Sequence, residues 1–196
     1  MSGYEAFLKR SLGRKAALDT ATSGIDRTAV YRAIELIESV YRKDGTIYVF
    51  GNGGSSTDAH HWASEFLATQ TRDGIIMRAL ALNDPYAMSA TVNDYPNGSD
   101  LIFKNQLRNA HRGDVAIGIS TSGKAKNVHT ALDYAKYNDI HRIGVVGNGL
   151  QNHEIIDRSD IAIVMPSSET PTIQECCSFI LHDMWLELIE KFGGRV

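Results

Sequence analysis

The segment TIYVFGNGGSSTDAHHWASEF, residues 46–66, decides the fold. Its first five residues, 46–50, are apolar and rich in β-formers, which suits a strand buried on both faces of a parallel sheet. Four residues of glycine and asparagine follow, Gly51-Asn52-Gly53-Gly54, and then a helical stretch over 55–69 that opens with Ser55 and Ser56. A strand that breaks into a glycine loop and re-forms as a helix is the repeating unit of α/β proteins.

The same pattern recurs outward from this unit. DVAIGIS (114–120) runs into TSGK, RIGVVG (142–147) into NGLQ, and DIAIVM (160–165) into PSSETP, while IMRALAL (76–82) is a weaker fifth strand. Helical periodicity fills the gaps at 27–43, where Val30, Ile34, Ile37 and Tyr41 share a face, at 124–138 and at 171–191. Thr170 is the candidate N-cap of the last helix, Pro171 suits its first turn, and Gly193 with Gly194 ends it. Residues 4–22 form an additional N-terminal helix, and NDYPNGSD (93–100) reads as the longest loop. The alternation predicts an α/β fold: a doubly wound, five-stranded parallel sheet with right-handed crossovers and helices on both faces.

Length and composition fit one such domain. The chain has 196 residues, of which 43% are hydrophobic and 22% charged, so it can bury a core without disulfides and is not a disordered chain. A net charge of −3 argues against nucleic acid or an anionic membrane as partner. No apolar run reaches the length of a membrane span, and the N-terminus lacks the apolar core of a signal peptide. The two cysteines, Cys176 and Cys177, are adjacent and read as reduced, which points to a cytoplasmic setting.

Three groups of residues carry candidate chemistry. The loop at 51–56 places free helix N–H groups and a positive dipole at a close backbone approach, as a phosphate cradle requires and as a plain tight turn also would. Ser120-Thr121-Ser122-Gly123 repeats the idea after another strand, with three hydroxyls where helix capping needs only one. His61 and Glu65, four apart on the helix after the glycine loop, can bind a metal, act as an acid/base pair, or simply pair at the surface. Trp62 and Phe66 fall on another face, toward the core. His182 and Gln174 lie on an otherwise apolar helix, where Cys176 and Cys177 fill space. Without a C-x-x-C pair, a structural zinc site is not expected.

Together these motifs resemble the phosphoheptose isomerases of the sugar isomerase (SIS) fold. The resemblance rests on Gly51 to Glu65 with Asp58, Ala59, His61 and Glu65 in register, on Gly118 to Gly123, on Asn93-Asp94, and on Ile173-Gln174-Glu175 with His182 eight residues after the glutamine. It runs in order along nearly the whole chain and implies a single SIS domain over 1–196. It further implies an aldose–ketose isomerase that converts sedoheptulose 7-phosphate to D-glycero-D-manno-heptose 7-phosphate through an enediol. That is the first step toward heptoses of bacterial surface polysaccharide, lipopolysaccharide or capsule. Carried over, Glu65 and His182 are the catalytic acid/base pair, and His61, Glu65, Gln174 and His182 are zinc-site positions. Ser55, Ser120, Thr121 and Ser122 bind phosphate, while Asn52, Gly53, Gly54, Asp58, Asn93, Asp94 and Gln174 line the sugar. The implied cofactor is Zn2+, with no nucleotide, and the implied assembly is a homotetramer with active sites at subunit interfaces.

Four departures separate this chain from the family pattern. Lys124-Ala125 stand where an asparagine and a serine are usual, so a hydroxyl is lost and a charge is gained. Pro171-Thr172 replace an Asp-Arg pair, Thr69 stands at a usual arginine position with Arg72 nearby, and the loop after Asn93-Asp94 (95–99) is about two residues longer, with Pro96-Asn97-Gly98 inserted. The catalytic core is kept while the substrate rim changes, which marks a divergent subgroup. Competing readings are an isomerase or sensor of another sugar phosphate, a non-catalytic SIS module that binds protein, and a zinc hydrolase. A replication-initiation regulator of SIS type lacks the motif glutamate, whereas this chain retains it. Finally, Gln174 and His182 stand about 12 Å apart along a straight helix and roughly 80° apart around it. Both cannot easily meet one metal, so the helix starts late or a neighbouring subunit completes the site.

Overall fold

The computed structural model describes residues 2–68 and 77–193. The elements run α1 (Gly3–Ser23), α2 (Arg27–Arg42), β1 (Thr46–Gly51), α3 (Gly54–Ala68), β2 (Arg78–Ala81), α4 (Pro85–Asp94) and α5 (Gly98–Gln106). After a 3-10 turn at Leu107–Asn109 come β3 (Val115–Ser120), α6 (Lys126–Tyr137), β4 (His141–Gly147), α7 (His153–Ile156), β5 (Ile161–Met165) and α8 (Thr170–Lys191).

All five strands are parallel, in the order β2-β1-β3-β4-β5. The chain leaves β1 to the β2 side and then returns to place β3 on β1's other edge. The strand order therefore reverses between β1 and β3, the point at which doubly wound sheets bind ligands beyond their carboxyl ends. Strand alternation divides the core between the two faces. Ile47 and Val49 of β1 join Ile117 and Ile119 of β3 against α2, α3 and α8, whereas Tyr48 and Phe50 face Phe103, Val128 and Leu132 of α5 and α6. Each fully buried side chain of this size contributes about 1.5–3 kcal/mol, so both faces must be covered, and the helices do so.

The expected strands appear with β2 as the short edge strand; Ile76, at the start of the expected run, lies outside the described residues, as do Thr69, Arg72 and Gly194. Three expectations are corrected. The 93–100 loop is instead the junction of two helices: Asp84 caps α4 by accepting from the Ala87 N–H at 2.6 Å, with Pro85 in the first turn. Only Tyr95 to Asn97 connects α4 to α5, with Asn97 in the left-handed region at φ 55°. Thr170 is not the cap of α8 but its first residue, following Glu169, which makes no side-chain cap bond. Helix α6 starts at Lys126 rather than 124, because Gly123 turns the backbone at φ 72° first. The short α7 had no strong periodic signal. Gly193, at φ 64°, follows the end of α8 as expected of a left-handed terminator.

The N-terminal helix is present and longer than a single packing face needs. Ser2 and Glu5 form a reciprocal capping box, and Arg14 bonds Glu175 of α8 at 2.5 Å. Tyr4, Phe7, Leu8 and Leu12 remain exposed along it. Among the described residues, no helix is long and apolar enough to cross a membrane.

Candidate active site

Two loops meet at the β1–β3 reversal. The β1–α3 loop supplies Asn52 and Ser55; the β3–α6 loop supplies Ser120, Thr121 and Ser122. An amide clasp joins them: Asn52 Nδ2 donates to Asn127 Oδ1 at 2.8 Å, and Asn127 Nδ2 donates to Asn52 Oδ1 at 3.0 Å. Between the loops lies a cavity of about 230 Å³, also lined by Lys124 and Ala125, with no carboxylate among its lining residues. Ser55 and Ser120 form its buried floor. The second loop is fixed from behind by His129, whose Nε2 lies 2.7 Å from the Gly123 carbonyl oxygen and donates there when it carries the proton. Gly123 has to be glycine, since a Cβ there would stand 2.3 Å from the Gln151 carbonyl oxygen.

Helix α3 leads from this cavity to a second cluster. Ala59, Trp62, Ala63 and Phe66 bury one face of α3. That leaves His61 and Glu65 on the opposite, partly open side, where His61 Nε2 and Glu65 Oε1 are 3.3 Å apart. Helix α8 lies alongside. His182 meets His61 edge-on, ring centroids 5.2 Å apart, and one ligand atom from each of His61, Glu65 and His182 lies within 4.8 Å of the others. The adjacent His60 is exposed, so the helix register selects His61. Two imidazoles and a carboxylate at this spacing suit a borderline divalent metal such as zinc, and equally suit proton transfer.

The remaining expected residues divide between places. Gln174, on α8, packs its amide against Gly54; a Cβ on Gly54 would stand 1.8 Å from Gln174 Nε2. It thus marks the cavity end of α3, about two helical turns before His182. Asn93 and Asp94 end α4 and bond each other, Nδ2 to Oδ1, at 2.6 Å. Asp94 lines a separate cavity of about 600 Å³ between β2, α4 and α5, with Tyr48, Thr91 and Asn105. Pro171 and Thr172 lie in the first turn of α8, Thr172 buried.

Asp58 sits one turn before His61, buried, with its Oδ2 lacking a hydrogen-bond partner among the described residues. Burial pushes its carboxyl up to about 6, partly offset by the His61 charge. A carboxyl raised in the fold above its ordinary 3.8 weakens the folded state progressively as pH rises from about 4 to 6. Asp58→Asn should therefore leave stability unchanged below pH 4 and raise it above pH 6 by on the order of 2–3 kcal/mol. Thermal midpoints of metal-free wild type and variant across that range check this; a pH-independent difference would contradict it.

One residue at this site, Asn127, carries a role the sequence did not assign, and the structure places a second, Lys124, whose charge the sequence had marked. Asn127 stands in the second loop, but its pairing with Asn52 joins positions 75 apart. Lys124 reaches the cavity rim, and no hydrogen bond or ion pair holds its ammonium among the described residues.

Comparison with known proteins identifies the family of the chain. Residues 15–147 match the SIS domain family. The phosphoheptose isomerase of Nitratiruptor sp. is 38% identical over 85% of this chain and 88% of its own length. That of Helicobacter pylori is 34% identical over 89% of each. The structure of phosphoheptose isomerase from Neisseria gonorrhoeae superposes with a TM-score of 0.77, 32% identical, covering 96% of this chain and 97% of that one.

Proposed function

The chain belongs to the SIS-domain family of phosphoheptose isomerases, and we propose that it interconverts sedoheptulose 7-phosphate and D-glycero-D-manno-heptose 7-phosphate. The observation that carries this reading is that one helix, α3, links the hydroxyl-lined cavity to the His61–Glu65–His182 cluster. From Ser55 to His61 the helix rises about 9 Å, which suits an extended seven-carbon sugar phosphate with its phosphate in the cavity and its carbonyl end at the cluster.

Isomerisation moves a hydrogen between the carbonyl carbon and its hydroxyl-bearing neighbour. In this reading Glu65 takes the proton from C1 of the ketose, giving an enediol, and the protonated Glu65 then delivers a proton to C2. His182 shifts the proton between O1 and O2, work suited to an imidazole near neutral pH. Ser55, Ser120, Thr121 and Ser122 hold the phosphate by donating to its oxygens. Asn52, Gly53, Gly54, Asp58 and Gln174 lie along the path between, whereas Asn93 and Asp94, assigned to the sugar by the family resemblance, end α4, with Asp94 lining the separate cavity.

His61, Glu65 and His182 would hold zinc, and Gln174 could join them only by leaving Gly54. Zinc bound there would supply positive charge to the enediol oxygens. Adding zinc to chelator-treated protein should raise the thermal midpoint, with stabilisation of about 2.7 kcal/mol at a hundredfold excess over Kd. His61→Ala should show no such shift; an equal shift in that variant would remove His61 from the ligand set.

The exposed apolar residues of α1, together with Phe179 and Leu186 on α8, support assembly into a homotetramer. A cytoplasmic setting is supported by the two free, buried cysteines, and the product would feed heptose synthesis for surface polysaccharide. A panel of ketose phosphates of five, six and seven carbons tests the substrate. Turnover should be highest with the seven-carbon ester, and preference for a shorter one would shift the assignment to another sugar-phosphate isomerase.

A further inference from the structure

Phosphate monoesters bind as dianions near neutral pH, so a cavity for one needs both donors and positive charge. The hydroxyls of Ser55, Ser120, Thr121 and Ser122 supply donors without charge. The first turn of α6 supplies a partial charge from its dipole. Its cap position is Ala125, which has no side-chain oxygen, and Asn127 Oδ1 accepts from the Val128 N–H of that turn at 2.9 Å. Among the described residues, one full positive charge lines the cavity, Lys124, and no carboxylate lines it. The Lys124 backbone N–H is already turned to Ser122 Oγ, at 3.3 Å, which fixes where the side chain leaves the loop. Its ammonium is exposed and enters no ion pair among the described residues, in a chain whose net charge is −3.

We propose that Lys124 is the charge partner of the bound phosphate and a specificity-determining residue, selecting substrates that carry a dianionic phosphate. This rests on the sugar-phosphate reading of the cavity. The Asn52–Asn127 clasp and the His129 contact to Gly123 hold the loop independently of the Lys124 side chain. Removing the ammonium should therefore change ligand affinity rather than loop geometry. Lys124 lines the cavity and is not part of the His61–Glu65–His182 cluster, so the effect should fall in KM and not in kcat. Because the ammonium is at an exposed rim, its attraction is screened by salt over a length of about 10 Å at 0.1 M.

The test measures binding of inorganic phosphate by calorimetry, at low and high salt, to wild type, Lys124→Met, Lys124→Arg and Lys136→Met. Lys136 carries the same charge at the far end of α6, about 15 Å along the helix. Lys124→Met should weaken phosphate binding roughly five- to tenfold, the size expected for one partly screened charge-assisted hydrogen bond. Its salt dependence should flatten. Lys124→Arg should restore affinity, and Lys136→Met should match wild type. In turnover, Lys124→Met should raise KM for the sugar phosphate by a similar factor with kcat unchanged within about twofold. Equal phosphate affinity in Lys124→Met and wild type, an equal loss in Lys136→Met, or no phosphate binding by wild type overturns the proposal. Should no ketose phosphate be isomerised while Lys124→Met still loses phosphate affinity, the isomerase reading fails and the role of Lys124 stands.

Discussion

Glu65→Gln is expected to lower kcat for sugar-phosphate isomerisation by roughly 10²–10⁴-fold, the contribution of a positioned general base. The amide keeps the shape of the side chain and removes its capacity to take a carbon-bound proton. The fold should persist, because α3 is anchored by the fully buried Trp62 and Phe66 rather than by Glu65. KM should change little, since the phosphate loops lie at the other end of the helix. His182→Ala should produce a loss of the same order, and the double variant should lose much less than the product of the two, as residues that act as a unit are non-additive. Steady-state kinetics on the three variants decides this. Wild-type kcat in Glu65→Gln would remove that carboxylate from the chemistry.

Gly123→Ala is expected to damage both stability and phosphate binding. The residue holds φ at 72°, and a Cβ there would stand 2.3 Å from the Gln151 carbonyl oxygen, a backbone atom that cannot rotate away. A left-handed alanine costs about 1–2 kcal/mol, and relieving the overlap by shifting backbone costs about 1–3 kcal/mol more. Either the β3–α6 loop or the Gly149–Asn152 turn must move. Movement of the former displaces Ser122 and pulls the Gly123 carbonyl from His129. Denaturant melts should show a loss of about 2–5 kcal/mol, and the variant that remains folded should bind inorganic phosphate more weakly. Gly53→Ala is the contrast. That residue also has positive φ, 55°, but a Cβ there meets nothing within 4 Å, so only the conformational cost applies.

Which features were legible follows from how each is encoded. The strands and the two hydroxyl loops are local patterns, an apolar run followed by glycine, and they appear where expected. The α4–α5 region was missed because Pro96-Asn97-Gly98 reads as a long break, whereas the structure spends only Tyr95 to Asn97 on the turn. Asp84-Pro85, a sound helix start, was the available signal. Thr170 was misplaced by one residue, within the usual uncertainty of helix ends. The Asn52–Asn127 clasp joins loops distant in sequence and has no local signature. The separation of Gln174 from His182 was legible in helix geometry alone, and the structure adds where Gln174 rests, against Gly54. The unpaired state of Lys124 could be seen only once its neighbours were known.

Trp62, Phe66, Cys177 and Leu181 are fully buried between α3, α8 and the sheet, so His61, Glu65 and His182 are carried by two helices packed into one core. Placing proton-transfer groups on packed helices and phosphate donors on clasped loops is the division of labour an enediol mechanism requires.

The most direct test is proton NMR of zinc-supplemented protein with sedoheptulose 7-phosphate in D2O. The account predicts an aldose 7-phosphate whose C2 carries deuterium from solvent, formed by wild type and not at a comparable rate by Glu65→Gln. No aldose product would contradict the assignment, and an aldose formed at a wild-type rate by Glu65→Gln would contradict proton transfer through that carboxylate.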